Sequence, residues 1–205
     1  MPPPPVPTPV PEPEPGPDDS ATPLDGKLTR LVPVTEADLD LLARWFASPG
    51  FVEDWGGVPL SREEVAAKYT GRRRPRVQSY LVLADDSPVG YAQYWYAAPA
   101  EDAAPEAAAA TTGRPAEGGI DMVLHPSARG RGLGPDAARA LLAHLGGTLR
   151  WRRATVDPDA TNTRAVRAWE KAGFRRVEHT EAGALLLEFT FPTNSGGGHG
   201  SQRSA

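Results

Sequence analysis

The residues best suited to chemistry lie in two neighbouring places. One is the hexapeptide Arg129-Gly130-Arg131-Gly132-Leu133-Gly134; the other is Asp121, set in the otherwise apolar run Ile120–Leu124. The hexapeptide follows a strand pattern and opens a helical one. A helix N-terminus presents free N–H groups and partial positive charge, so strand, glycine loop and helix together form an anion cradle. Glycines let the backbone approach a phosphate without intervening Cβ atoms, and Arg129 and Arg131 would add full charges. By itself such a loop is equally a plain glycine turn. Asp121 belongs either to a solvated strand face or to a cleft. In a cleft its carboxylate could hold an ammonium and accept its proton, directly or through water. Asp157 opens an Asp-Pro turn ahead of the next helix, and Asn162 stands where an N-cap belongs.

Other phosphate loops fail on their own requirements. A Walker loop needs Lys and then Ser or Thr after its last glycine, whereas Gly134 is followed here by Pro135. A dinucleotide fingerprint needs an acidic residue ending a second parallel strand. Asp157 is near that spacing, but "DPDATNTRAVRAWEKAGF" reads as a helix entry. The absence of cysteine excludes disulfides, thiolate metal sites and cysteine nucleophiles. His199 stands alone in a tail, so no metal is expected.

The elements that must position these residues lie between two tails. Residues 1–26 open with "MPPPPVPTPVPEPEPGPDD", which reads as a disordered, polyproline-like tail. Residues 192–205 read as a flexible Gly/Ser-rich tail. Residues 27–191 are long enough for one domain with one buried core. Strands are expected at Leu28–Val34, near Ser79–Leu83, near Pro88–Ala97, at Ile120–Leu124, near Ala154–Val156, and near Phe174–His179 and Ala184–Phe191. Helices are expected from a capping box at Thr35–Asp38 to about Ala47, and from a second box at Ser61–Glu64 to Tyr69. Two more run over Gly134–Leu145 and Thr163–Lys171, the last closed by Gly173. The stretch 98–118 reads as an extended, acidic loop. This order predicts an α/β fold with a mixed sheet, mainly antiparallel at first and with a crossover helix later. No apolar run is long enough to span a membrane and no signal peptide opens the chain, so a cytoplasmic location is expected. A net charge of −4 argues against a nucleic-acid partner.

The motifs carry a resemblance. Arg-Gly-Arg-Gly-Leu-Gly after a strand resembles the acetyl-CoA pyrophosphate loop of the GNAT acetyltransferases, and "NTRAVRAWEKAGF" resembles their second signature. The resemblance covers about residues 28–191. It implies a splayed, mainly antiparallel sheet flanked by helices, with the pantetheine arm lying between the strand at Ile120–Leu124 and the next one. Coenzyme contacts are implied at Val123, Arg129, Gly130, Arg131, Gly132, Leu133, Gly134, Asn162 and Trp169.

The blocks "FVEDWGG", "PVGYAQYWYA", "GGIDMVL" and "VDPDATNTRAVRAWEKAGF" are similar, in order, to those of the aminoglycoside 6′-N-acetyltransferases. The resemblance implies Asp121 as the residue that binds and helps deprotonate the amine, with Asp157, Trp55 and Tyr69 in the acceptor half. Acetyl-CoA is the implied cosubstrate and a small-molecule amine the partner, in a monomer or homodimer. Two departures stand out. Asp54 occupies a place where an aromatic is common, and would add negative charge to the acceptor cleft. Trp169 occupies the place of a Tyr thought to protonate the departing thiolate. Indole donates a hydrogen bond but is no acid near neutral pH, so the thiolate is expected to leave unassisted or to take a proton from water; were another acid operating, Tyr91, Tyr94 or Tyr96 would be the first candidate. The other readings are a related enzyme acting on a siderophore precursor, a polyamine or a protein N-terminus, and a catalytically silent acyl-CoA-binding module.

Overall fold

The computed structural model describes residues 22–97, 117–177 and 185–192. The expectations of a Pro-rich tail, an extended acidic loop and a Gly/Ser-rich tail fall almost wholly on residues outside these. Among the described residues no helix is long and apolar enough to cross a membrane.

The chain runs β1 (Leu24–Asp25), β2 (Arg30–Pro33), a 3-10 turn (Glu36–Asp38), α1 (Leu39–Phe46), α2 (Pro49–Val52) and α3 (Arg62–Tyr69). It continues through β3 (Val77–Ala84), β4 (Ser87–Tyr96), β5 (Glu117–Leu124), α4 (Leu133–Gly147), β6 (Arg153–Val156), α5 (Thr163–Ala172), β7 (Arg175–Val177) and β8 (Leu186–Thr190). The strands form one sheet in the order β1-β2-β3-β4-β5-β6-β8-β7. Every neighbouring pair is antiparallel except β5 with β6, whose parallel pairing requires the α4 crossover. This is the mixed, mainly antiparallel sheet that the sequence predicts.

Period-two alternation along the central strands splits the core in two. Tyr80, Val82, Ala92, Tyr94 and Ile120 face one side, under Ala137, Leu141 and Leu145 of α4 and Val166 and Trp169 of α5. Leu81, Tyr91 and Val123 face the other, against Leu42 and Phe46 of α1, Phe51 of α2 and Val65 and Tyr69 of α3. Local chemistry sets the helix ends. Ser61 accepts from the Glu64 N–H at 3.2 Å while the Glu64 carboxylate accepts from the Ser61 N–H at 2.8 Å. Gly173 closes α5 at φ +112°, a left-handed cap that glycine adopts freely.

Several boundaries differ from the sequence reading: β5 begins at Glu117 rather than Ile120, taking in the end of the stretch expected as a loop, and α2 is an added short helix. The first helix does not run unbroken from Thr35: Asp38 accepts from the Thr35 N–H and hydroxyl, and that box closes a 3-10 turn before α1 begins. The first strand begins at Arg30 rather than Leu28. Leu24–Asp25, placed in the tail by composition, pairs with Leu31 and Arg30 as an edge strand. The cause is Asp136 in the first turn of α4, 3% exposed. Its carboxylate accepts from the N–H groups of Lys27, Leu28 and Thr29 and from the Thr29 hydroxyl. These bonds hold the β1–β2 turn against the helix.

The sheet parts at its centre. β5 and β6 pair over Glu117–Gly119 with Arg153–Thr155 and not beyond. Pro158, shortly after β6, has no N–H to offer a ladder. Ile120–Leu124 thus have an open edge, as the resemblance implies.

Candidate active site

The parted strands open into a cleft of about 1510 Å³. β5 from Ile120 to Leu124 forms one side, and Val156, Asp157 and the first turns of α5 form the other. The loop after α2, with Asp54 and Trp55, and the β5–α4 loop complete the walls.

Asp121 is placed by register. It lies opposite Gln93, which lies opposite Ser79, so the three share one row across the sheet. That row faces the α1–α3 side. Gln93 Nε2 donates to Asp121 Oδ2 at 2.7 Å. The amide is oriented by Tyr91, whose hydroxyl donates to Gln93 Oε1 at 2.9 Å and lies 2.7 Å from Ser79 Oγ. Burial pushes the Asp121 carboxyl above its ordinary pKa, and the charge of Asp157 across the cleft adds to the rise. Hydrogen bonds from Gln93 and Trp95 pull the other way. A carboxylate so disposed holds a cation well and has raised proton affinity, as a general base requires. Gln93 and Trp95 were not singled out from sequence. Their signal is alternation: Tyr91, Gln93 and Trp95 share a face of β4. Gly119 pairs with Trp95, and a Cβ there would run into its indole ring.

The β5–α4 loop has the form of an anion cradle. Gly130 and Gly132 adopt φ +77° and +81°, and Gly132 is the N-cap of α4. Nothing lies within 4 Å of a Cβ built on Gly130, and only a Leu28 methyl, at 3.9 Å, approaches one on Gly132. The space over the loop is therefore open to a ligand. Leu133 and Gly134 offer first-turn N–H groups, while Pro135 offers none. Leu133, Gly134 and Val123 all line the cleft. The two arginines of the loop differ in their surroundings. Arg129 Nε donates to the Leu124 carbonyl at 3.0 Å and its NH2 to the Gly50 carbonyl at 2.8 Å, so it clips β5 to α2. Arg131 does not line the cleft; its guanidinium points toward Asp85, 4.0 Å away. Arg129 lines the cleft with its guanidinium engaged by protein groups, while Arg131 is exposed outside it.

The remaining expected residues converge. Asn162 caps α5 by accepting from the Ala165 N–H at 3.0 Å and lines the cleft. Trp169, 6% exposed, lines it too and packs edge-on against Phe174. Trp55 donates its indole N–H to the Tyr69 hydroxyl at 3.0 Å, and both line the cleft. Asp54 does not add free negative charge there, because it is paired with Arg129 at 3.1 Å and Arg164 at 2.8 Å. The substitute acids are also misplaced. The Tyr91 hydroxyl is buried, bonded on both sides and pushed far above its ordinary pKa by that burial. Tyr94 and Tyr96 project from the opposite face of β4, against Trp151.

A splayed sheet that places a glycine-loop helix N-terminus beside a half-buried carboxylate defines a coenzyme A-dependent acyltransferase. Residues 34–182 match the family model described as acetyltransferase (GNAT) domain, and the chain belongs to that family. It is 33% identical over 148 residues to the aminoglycoside N(6′)-acetyltransferase type 1 of Klebsiella pneumoniae, covering 70% of this chain and 72% of that one. A crystal structure of aminoglycoside acetyltransferase AAC(6′)-Ib with coenzyme A and kanamycin superposes with a TM-score of 0.65 at 31% identity, covering 79% of this chain and 94% of that one. A spermidine N-acetyltransferase of Vibrio cholerae, solved with coenzyme A and spermine, gives a TM-score of 0.65 at 12% identity and shares the fold alone. The protein is an acetyl-CoA-dependent N-acetyltransferase.

Proposed function

We propose that this enzyme acetylates the 6′-amine of an aminoglycoside by direct transfer in a ternary complex. The observation that carries the reading is Asp121, a half-buried carboxylate lining the cleft, with Asp157 across the parted strands. Two carboxylates around one acceptor position suit a polyamine sugar better than a neutral acceptor. The relative at 33% identity, named for the same amine, supports the regiochemistry.

An alkylammonium has a pKa of about 10 and no lone pair until it loses a proton. Asp121 holds it by charge and takes that proton, directly or through water. The neutral nitrogen attacks the thioester carbonyl carbon, the C–S bond breaks, coenzyme A departs as its thiolate, and the acylated nitrogen gives its surplus proton to water or to that thiolate. With a thiol pKa of about 8.5 the thiolate leaves without a strong acid. This suits Trp169, which cannot supply a proton. Leu133 and Gly134 N–H groups, beneath the open space at Gly130 and Gly132, suit the pyrophosphate. Val123, Asn162 and Trp169 suit the pantetheine arm.

The test is thiol release by the purified protein with acetyl-CoA and a panel of amines. Turnover with aminoglycosides bearing a 6′-amine, and none with those bearing a 6′-hydroxyl, is the expected result. Product NMR should place the acetyl group at 6′. Faster turnover of spermidine than of any aminoglycoside would overturn the reading.

A further inference from the structure

We infer that Asp54 is a positioning residue: its carboxylate clamps the acceptor loop, residues 53–60, to the coenzyme half of the cleft and so sets Trp55. The inference rests on the reading above that Trp55 borders the amine acceptor.

Asp54 Oδ1 accepts from Asn162 Nδ2 at 2.7 Å, and Oδ2 accepts from Arg164 at 2.8 Å and pairs with Arg129 at 3.1 Å. Two of these donors are themselves fixed. Asn162 must keep its amide oxygen on the Ala165 N–H to cap α5, which leaves Nδ2 as the end that reaches Asp54. Arg129 is held by the carbonyls of Leu124 and Gly50. The Asp54 side chain is only 22% exposed. The pairing with Arg129, whose side chain is 16% exposed, is screened less than a surface ion pair, while Arg164 meets the carboxylate from the solvent side.

The loop has reason to need a clamp. Gly56 and Gly57 lie at φ +83° and +76°, with no atom within 4 Å of a Cβ built on either, and Val58 is 66% exposed. Residues 56–59 are exposed, and the loop returns to the core only at Leu60, whose N–H donates to the Phe46 carbonyl at 2.9 Å. Trp55 reaches inward, edge-on to Phe46, Tyr69 and Tyr91. Consecutive side chains therefore anchor the loop to both halves of the molecule, Trp55 to the acceptor-side aromatics and Asp54 to the α5 N-terminus. Displacing one moves the other. Asp54 acts on the acceptor through Trp55 and not through its own charge, which Arg129 and Arg164 neutralise.

The test uses Asp54→Ala, Asp54→Asn, Arg164→Ala and the Asp54→Ala/Arg164→Ala pair in the full chain. Amide hydrogen exchange of residues 53–60 is read without any ligand, and steady-state kinetics with an aminoglycoside that the natural enzyme acetylates. Asp54→Ala should speed exchange across 53–60 at least about tenfold and raise the acceptor KM about tenfold, with kcat changed less. Asp54→Asn keeps an acceptor oxygen and should fall between. The double variant should be no worse than Asp54→Ala, since both changes break one contact. Unchanged exchange in a folded Asp54→Ala or Asp54→Asn variant would overturn the clamp. So would tighter acetyl-CoA binding with an unchanged acceptor KM, which would make the carboxylate a competitor for coenzyme phosphate. If the natural enzyme acetylates no aminoglycoside, the proposed function fails, while the exchange measurement still decides the clamp.

Discussion

Asp121 carries opposing demands at the scale of the single residue. Its carboxyl is raised in pKa by burial and by Asp157, against the hydrogen bonds of Gln93 and Trp95. A carboxyl with a raised folded-state pKa costs stability above that pKa, and the cost is relieved as pH falls through it. Asp121→Asn removes the charge and keeps an oxygen for Gln93. We expect it to raise the thermal midpoint at pH 8, with a smaller gain in acid, and to lower turnover by about 100-fold or more. The acid limb of kcat/KM in the natural enzyme should lie above the ordinary aspartate range, because the base must be unprotonated to act. Wild-type turnover in the Asn variant would reassign Asp121 to structure. Trp169 gives a second expectation. Its indole N–H cannot titrate near neutrality, so the pH–rate profile should lack an upper limb near about pH 8–9 from a protonated acid. Trp169→Tyr should turn over as fast or faster, and Trp169→Ala should weaken acetyl-CoA binding by roughly 1–3 kcal/mol through lost packing. An inactive but folded Trp169→Tyr variant would show that the acid lies elsewhere.

The N-terminus of α4 shows how two glycines can matter for unrelated reasons. Gly132 caps the helix at φ +81° with open space above it. Gly132→Ala should cost only the backbone strain of a left-handed residue, about 1–2 kcal/mol. Gly132→Asp should abolish acetyl-CoA binding, because a carboxylate would stand among the phosphates. Gly26 lies far from that chemistry in sequence, yet a Cβ there would meet the Asp136 carboxylate and Thr29 Oγ1. Gly26→Ala should therefore lower the denaturation midpoint more than Gly132→Ala does, because it disturbs the four hydrogen bonds that Asp136 accepts from the β1–β2 turn. Equal midpoints would show that the turn is free to shift. Calorimetric titration of Gly132→Asp that finds unchanged affinity would remove the phosphate cradle.

At the scale of the whole molecule, two arginines that look equivalent in the hexapeptide part company. Arg129 ties β5 to α2 through two carbonyls and reaches Asp54, whereas Arg131 is exposed and only approaches Asp85. Arg129→Ala should destabilise the fold on the order of 2 kcal/mol, the scale of charge-assisted hydrogen bonds. Arg131→Ala should leave the melting temperature within error and acetyl-CoA affinity little changed. The reverse pattern would restore both arginines to the simple role of phosphate charges.

Much of the fold and half of the site were legible in the residue order, because the features concerned are local. Glycines that need positive φ, a Ser61–Glu64 box and the Asn162 cap depend on neighbours within a turn, so α3, the start of α4 and α5 could be placed without a structure. Alternation marked β3, β4 and β5, and the two signatures named the family. What the tertiary structure decided involves partners far apart in the chain. Asp54 meets Asn162 and Arg164 more than 100 residues away, and Asp136 meets the Gly26–Thr29 turn across a similar gap. Gln93 reaches Asp121 because strand register sets them opposite. The same register packs Tyr94 and Tyr96 against Trp151, away from the residues that line the cleft. Local rules fix which elements form. Which charges neutralise one another, and which carboxylates face the cleft, follows only from the packing that brings distant segments to hydrogen-bonding distance.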